Sequence, residues 1–217
     1  MLKKILPTLT LVASTLIING CATHAVVEQT VVEKINSQNF ENKSFKYNIL
    51  YSKPKPGIFS GGEQLPLTPI EQAELSVASA QVLGRLNEIL KSNLPNSVSI
   101  VSSQGDYGLS IAITAKNKKG PAFADYDMAA SMGKSLLTLG LGSSEYTIIA
   151  DFDIQYSLQD AKGREIHTNT YKVLEELDHE KSKFDGNDIG HSLAEQLLEK
   201  HINITLQDFL RNADTKV

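Results

Sequence analysis

The chain has no tryptophan and only one cysteine among its 217 residues. With Cys21 alone there can be no disulfide within the chain, so the fold must be held by apolar burial. Basic charge is also short. Lys and Arg number 21 against 25 Asp and Glu, for a formal net charge of −4. A general nucleic-acid binder needs clustered basic excess to displace counterions, so no nucleic-acid partner is expected. No apolar run reaches the roughly 20 residues a membrane-spanning helix requires. His-Glu-x-x-His and Gly-x-Ser-x-Gly are absent, as is a spare thiol to act as nucleophile. We therefore expect no catalytic residues, no metal ligands and no cofactor, and a chain that is not an enzyme.

What is present starts with Lys3 and Lys4, a basic pair followed by an apolar stretch from Ile5 to Ile18 that is broken only by Pro7 and small hydroxyl residues. That is the layout of a signal peptide. It ends in Ile18-Asn19-Gly20-Cys21, which resembles the lipobox of bacterial lipoproteins at three positions and departs from it at Asn19. The resemblance implies cleavage before Cys21, a diacylglyceryl group on its sulfur and acylation of its new amine. Several acyl chains, at about 0.8 kcal/mol per buried CH₂, give stable membrane anchoring. Ala22 stands where an Asp usually retains Gram-negative lipoproteins at the inner membrane, so the resemblance implies the outer membrane, facing the periplasm. Two other outcomes are open: an uncleaved anchor helix, or secretion with cleavage at Thr23-His24-Ala25.

The expected organisation is a leader over residues 1–20, a lipidated N-terminus and tether over 21–44, one α+β domain over 45–212, and a frayed tail over 213–217. In the tether Val27, Val31 and Ile35 recur at four-residue intervals, enough for one fragile helix. Phe45, Tyr47, Ile49 and Tyr51 alternate with Lys46, Asn48 and Leu50, the period of a half-buried strand. Then Lys53-Pro54-Lys55-Pro56-Gly57 and Gly61-Gly62 interrupt regular structure. Lys53, Lys55, Gly57, Gly61 and Gly62 form a basic, glycine-bearing loop that could receive a partner, or serve as an ordinary mobile connection.

Thr68-Pro69-Ile70-Glu71 reads as a capping box, which predicts one helix from there to Pro95. Val98 to Ser102 and Tyr107 to Ile113 predict two strands paired as a hairpin across Gln104-Gly105-Asp106, with Lys116 to Pro121 as a solvated turn. Met128 to Ser144 reads as a short helix and a Gly-containing turn; Gly133-Lys134-Ser135 is no phosphate loop, because Met128 stands where its first Gly is needed. A long strand over Thr147 to Leu158, a turn at Asp160-Ala161-Lys162-Gly163 and a return strand over Glu165 to Leu174 predict a second hairpin. Asp151 and Asp153 share one face of it, the placement of paired catalytic carboxylates, but both belong to the polar set. Glu175 to Asp185 reads as a mobile charged segment. Asp185-Gly186-Asn187-Asp188 lacks the spacing and closing Glu of an EF-hand loop. Ile189, Leu193, Leu197, Leu198, Ile202, Thr205 and Phe209 mark a last helix, fraying after Arg211. His191 and His201 on it point about 80° apart, so they are not joint metal ligands.

The fold class expected is α+β: a mixed or mostly antiparallel sheet of about five strands with two long helices on one face. This element order, with the Asp160–Gly163 turn between two long strands, resembles small periplasmic accessory lipoproteins such as ABC-type transport auxiliary lipoproteins and penicillin-binding-protein activators. The resemblance implies an anchored, non-enzymatic subunit with an envelope protein partner. Self-association into a homo-oligomer is the alternative, and an enzyme acting on peptidoglycan or lipid is the third reading.

Overall fold

The computed structural model describes residues 24–57, 59–127, 131, 144–181, 186 and 188–217. The expected leader, Cys21, most of Met128–Ser144, and Asp185 and Asn187 lie outside the described residues. The chain is of the α+β class, with a seven-stranded, mostly antiparallel sheet and three helices of eight residues or more among the described residues.

Alternation builds the sheet. In β1 (Ser44–Ser52), Phe45, Ile49 and Tyr51 are buried while Lys46 is exposed, as the period-two pattern requires. β1 pairs in parallel with β4 (Tyr107–Ala115), whose Tyr107, Leu109, Ile111, Ile113 and Ala115 point the same way. The 17-residue β6 (Ser144–Asp160) then runs antiparallel to β4, burying Ile148, Ala150, Phe152, Ile154, Tyr156 and Leu158. The equally long β7 (Glu165–Lys181) flanks the other edge of β6. Within the turn between them, Asp160 Oδ1 accepts the Lys162 and Arg164 amides at 2.8 and 3.0 Å.

β5 (Ala122–Asp127) pairs with the first half of β6, on the same edge that β4 occupies along the second half. β4 and β5 are thus one strand interrupted by Lys116–Pro121. The two flanks of the interruption meet at one residue: Lys116 N–H donates to Asp151 O at 3.1 Å, and Asp151 N–H donates to Pro121 O at 2.8 Å.

Two short strands complete the sheet and correct the expected topology. β2 (Thr68–Pro69) pairs antiparallel with the end of β1, and β3 (Ser99–Ile100) pairs in parallel with its start. β3 is therefore no hairpin partner of β4: it lies on the far side of β1, and residues 101–106 cross past the start of β1. The crossing is close. A Cβ on Gly105 would stand 2.9 Å from Ser44 O, so glycine is required there. Asp106 Oδ2 fastens it by accepting Ser44 N–H at 2.8 Å and Ser44 Oγ–H at 2.7 Å.

The long helix expected from Thr68 is also corrected. Thr68 belongs to β2, a 3₁₀ turn follows at Ile70–Gln72, and α1 (Val77–Gly84) starts at Ser76, whose Oγ accepts the Ser79 amide at 3.3 Å. A break at Arg85 separates α1 from α2 (Leu86–Asn93). The Arg85 guanidinium bridges to Glu195 and Glu199 of α3 (Ile189–Asp214) at 2.6 and 3.0 Å. The last helix buries its expected stripe and does not fray after Arg211: Ala213 is buried, and Asp214 Oδ1 accepts Ser37 Oγ–H at 2.5 Å. Its Phe209 stacks on Tyr156 with ring centroids 5.1 Å apart. β7 likewise runs through Lys181, so the charge-rich Glu175–Lys181 stretch is strand.

The part of the expected tether that is described, His24 to Lys43, contains no helix and is packed down on the domain. Val27, Ile35 and Phe40 are buried in the core. Phe40 closes an aromatic cluster with Phe45 and Tyr107, at centroid distances of 5.3 and 5.4 Å. Ile35 N–H donates to Asn93 O at 2.9 Å, and Gln207 Nε2 donates to Glu33 O at 2.9 Å. Apolar side chains inside a polar segment thus attach it to α2, α3 and the sheet.

Candidate functional site

The segment after β1 is built, not slack. Leu65 N–H donates to Lys53 O at 3.0 Å, Pro54 is bridged to Gln64, and Lys55 N–H donates to Glu63 O at 2.8 Å. These rungs extend β1 as an antiparallel ladder. Ser60 Oγ donates across the turn to Lys55 O at 2.9 Å. Gly57, Gly61 and Gly62 have φ of 119°, 61° and 75°, a backbone region in which a side chain would be strained. The base is fixed by Ser52 Oγ, which donates to Leu65 O and accepts Gln64 Nε2–H at 2.6 Å.

The structure separates the two lysines the sequence groups together. The Lys53 side chain is only 11% exposed and its Nζ stands 3.1 Å from Glu74 Oε2, so it acts as a strut between the loop and the 3₁₀ region. Lys55 is exposed on the ladder and has no ion pair among the described residues. At the turn, Phe59 is 100% exposed. Sequence reasoning missed Phe59; the available signal was a lone aromatic between glycines in a stretch with no apolar period. Under the loop lies a cleft of about 270 Å³, walled by Tyr51, Lys53, Leu65, Thr68, Gln72 and Glu74. Burial pushes the Tyr51 phenol up to about 12, with the Ser79 hydroxyl opposing it only in part.

Among the described residues the opposite face of the sheet carries no helix, and it is mostly polar. Asn48, Ser110, Ser157 and Thr168 lie across it in one register and Ser52, Thr114, Asp153 and Lys172 in another, and Asp153 is ion-paired with Lys116. Asp151 and Asp153 stand there as the alternation predicts, two residues apart on one strand. The histidines are dispersed. His167 stacks on Phe209, His24 meets His179 with centroids 5.8 Å apart, and His191 is exposed. His201 Nε2 lies 2.7 Å from Glu175 Oε2. Among the described residues no three His, Cys, Asp or Glu side chains are grouped to hold a metal ion.

The N-terminal segment enters at one end of the sheet. Ala25 N–H donates to His179 Nδ1 at 3.3 Å, near the C-terminal end of β7. β1, β4 and β7 share one direction, so the Lys53–Leu65 loop leaves the sheet at this same end. The Asp160–Arg164 turn is at the other.

Among the described residues, the fold and this arrangement define an α+β domain with one helix-covered face, one mostly polar face without a helix, and one end carrying both an ordered loop and the incoming N-terminal segment. No family model matches the chain, and no curated protein sequence matches it. Among solved structures, a DUF330 protein of Xanthomonas campestris is 13% identical over 89% of this chain and 94% of its own, with a TM-score of 0.38. A homolog of the neuraminyllactose-binding hemagglutinin from Helicobacter pylori is 10% identical over 88% of this chain and 97% of its own, with a TM-score of 0.39. A minor lipoprotein from Acinetobacter baumannii is 9% identical over 77% and 91%, with a TM-score of 0.36. Scores and identities this low carry no argument about function.

Proposed function

We propose that this chain is an envelope lipoprotein, anchored at the outer membrane through acyl chains on Cys21, that serves as a non-enzymatic accessory subunit of a cell-envelope assembly or transport machine. The observation that carries the reading is the bond from Ala25 to His179. Only Ala22, Thr23 and His24 separate Cys21 from Ala25. Four residues reach at most about 14 Å, so lipid on Cys21 holds the β7 end of the domain close to the headgroups. A domain held in one orientation offers its other surfaces in a fixed direction, and the polar sheet face, without a helix among the described residues, is the surface offered to a protein partner.

The test is to purify the tagged full-length protein from its own membranes in mild detergent, beside Cys21→Ser, and to identify what accompanies each. A stoichiometric partner retained by the wild type and lost from Cys21→Ser is the expected result. A lipid-bearing protein with no companion contradicts the accessory role.

One observation favours self-association as a second reading. Among the described residues β7 has no strand on its outer edge, and Leu174 there is 71% exposed. Antiparallel pairing of two β7 strands about a two-fold axis would set the two anchored ends on opposite sides. Anchored copies would therefore join β7 to a different edge, head to tail, and close a ring.

A further inference from the structure

We infer that the Lys53–Leu65 loop is a second, non-covalent membrane contact, with Phe59 seated among the lipid headgroups beside the anchor. This rests on the proposed acylation of Cys21, which sets the end of the domain that meets the bilayer.

Direction is the first argument. Ser52, Thr114, Asp153 and Lys172 lie level across β1, β4, β6 and β7. From that level the loop rungs at Lys53, Pro54 and Lys55 continue toward the end where Ala25 meets His179, seven residues beyond Lys172. β1 is three strand spacings from β7, about 14 Å. A surface touching a lipid chain on Cys21 is thus within reach of the loop.

Chemistry is the second. A fully exposed Phe at the tip of a hydrogen-bonded ladder is buried by no side chain among the described residues, whereas the headgroup and acyl boundary accepts an aromatic ring. Lys55 lies four positions before Phe59, exposed and without an ion pair among the described residues. A cation beside an apolar tip suits an anionic headgroup. Glu63, across the ladder from Lys55, is also exposed and limits the attraction to a local one. Order is the third. Ser60 Oγ, bonded to Lys55 O at 2.9 Å and Gly57 O at 3.0 Å, holds the turn, so less conformational freedom is lost when the tip engages.

The chain has no tryptophan, so Phe59→Trp supplies a sole indole at an exposed position where folding is not at stake. The lipid-modified variant is reconstituted in phosphatidylethanolamine and phosphatidylglycerol vesicles with brominated acyl chains. We expect it to float with the vesicles, to emit at shorter wavelength than in vesicle-free detergent solution, and to lose emission to bromine. Ala161→Trp, at the opposite end, should keep its emission, and Lys55→Glu should reduce the quenching of Trp at position 59. Flotation with that indole unquenched by bromine and open to aqueous iodide overturns the loop contact alone. Protection that requires an added envelope protein and not lipid overturns it in favour of a protein site. Failure to float overturns the anchor, and the loop contact with it.

Discussion

Asn93 on α2 donates its side-chain amide to Asn203 Oδ1 on α3 at 2.9 Å, with both residues buried. The same amide donates to Ile89 O at 2.8 Å, and Asn93 O accepts Ile35 N–H, so one residue ties the N-terminal segment to two helices. Replacing Asn203 by Leu should cost about 1–3 kcal/mol, the penalty of a buried donor left without its partner. The double change, with Asn93→Leu, should cost less than the sum of the single changes. Urea unfolding of the four species checks this; strict additivity would show the bond to be idle.

Phe40→Ala distinguishes a docked segment from a tether. Phe40 is 0% exposed and packs edge-on against Phe45 and Tyr107. Its truncation should cost about 3–5 kcal/mol. A loss of a few tenths in denaturant unfolding would mean residues 24–43 hang free.

Phe152→Ala addresses the sheet. Phe152 is fully buried on β6, paired with Ala115 on one side and Val173 on the other. A central strand predicts a loss of about 3–5 kcal/mol; a change under about 1 kcal/mol would contradict that placement.

Acid should weaken the contact of β7 with α3. Glu175 accepts Lys200 Nζ–H at 2.8 and 2.9 Å, and His201 Nε2 is 2.7 Å away. Burial acts to raise the Glu175 carboxyl, but hydrogen bonding and charge from Lys200, with help from His201, hold it below its ordinary value. Burial pushes the His201 imidazole down, opposed only in part by Glu175. Both shifts leave the unfolded chain binding more protons, so stability rises with pH. The His201 share is complete above the unfolded value near 6.5 and declines as pH falls from there toward the folded value. The Glu175 share is present above its unfolded value, near 4.3, and is lost as pH falls through the folded one. His201→Gln should flatten the urea midpoint between about pH 7 and 5, and an unchanged slope would contradict the assignment.

The strands of this fold were legible wherever burial on one face imposed alternation, as in Phe45 to Tyr51 and Thr147 to Leu158. Local signals failed where long-range partners decided the outcome. Thr68-Pro69-Ile70-Glu71 has the chemistry of a helix start, but Thr68 is held in register opposite Tyr51 and the helix begins at Ser76 instead. Gln104-Gly105-Asp106 has turn chemistry whether the chain folds back or crosses past β1, and only Gly105's close approach to Ser44 separates the two. The contact loop was legible as a loop from its prolines and glycines. Which of its lysines is free was not, because Lys53 is neutralised by Glu74, twenty-one positions on. The docking of residues 24–43 rests on Val27, Ile35 and Phe40, and the four-residue repeat that suggests a helix breaks at Val31, which is exposed.

The most direct test of the account is the mass of the N-terminal peptide of the protein taken from its native membranes. An anchored lipoprotein predicts a chain starting at Cys21, heavier by a diacylglyceryl group on the sulfur and an acyl group on the amine. A peptide that runs unbroken through Gly20-Cys21 with a free thiol, or one that begins after Ala25, would contradict it.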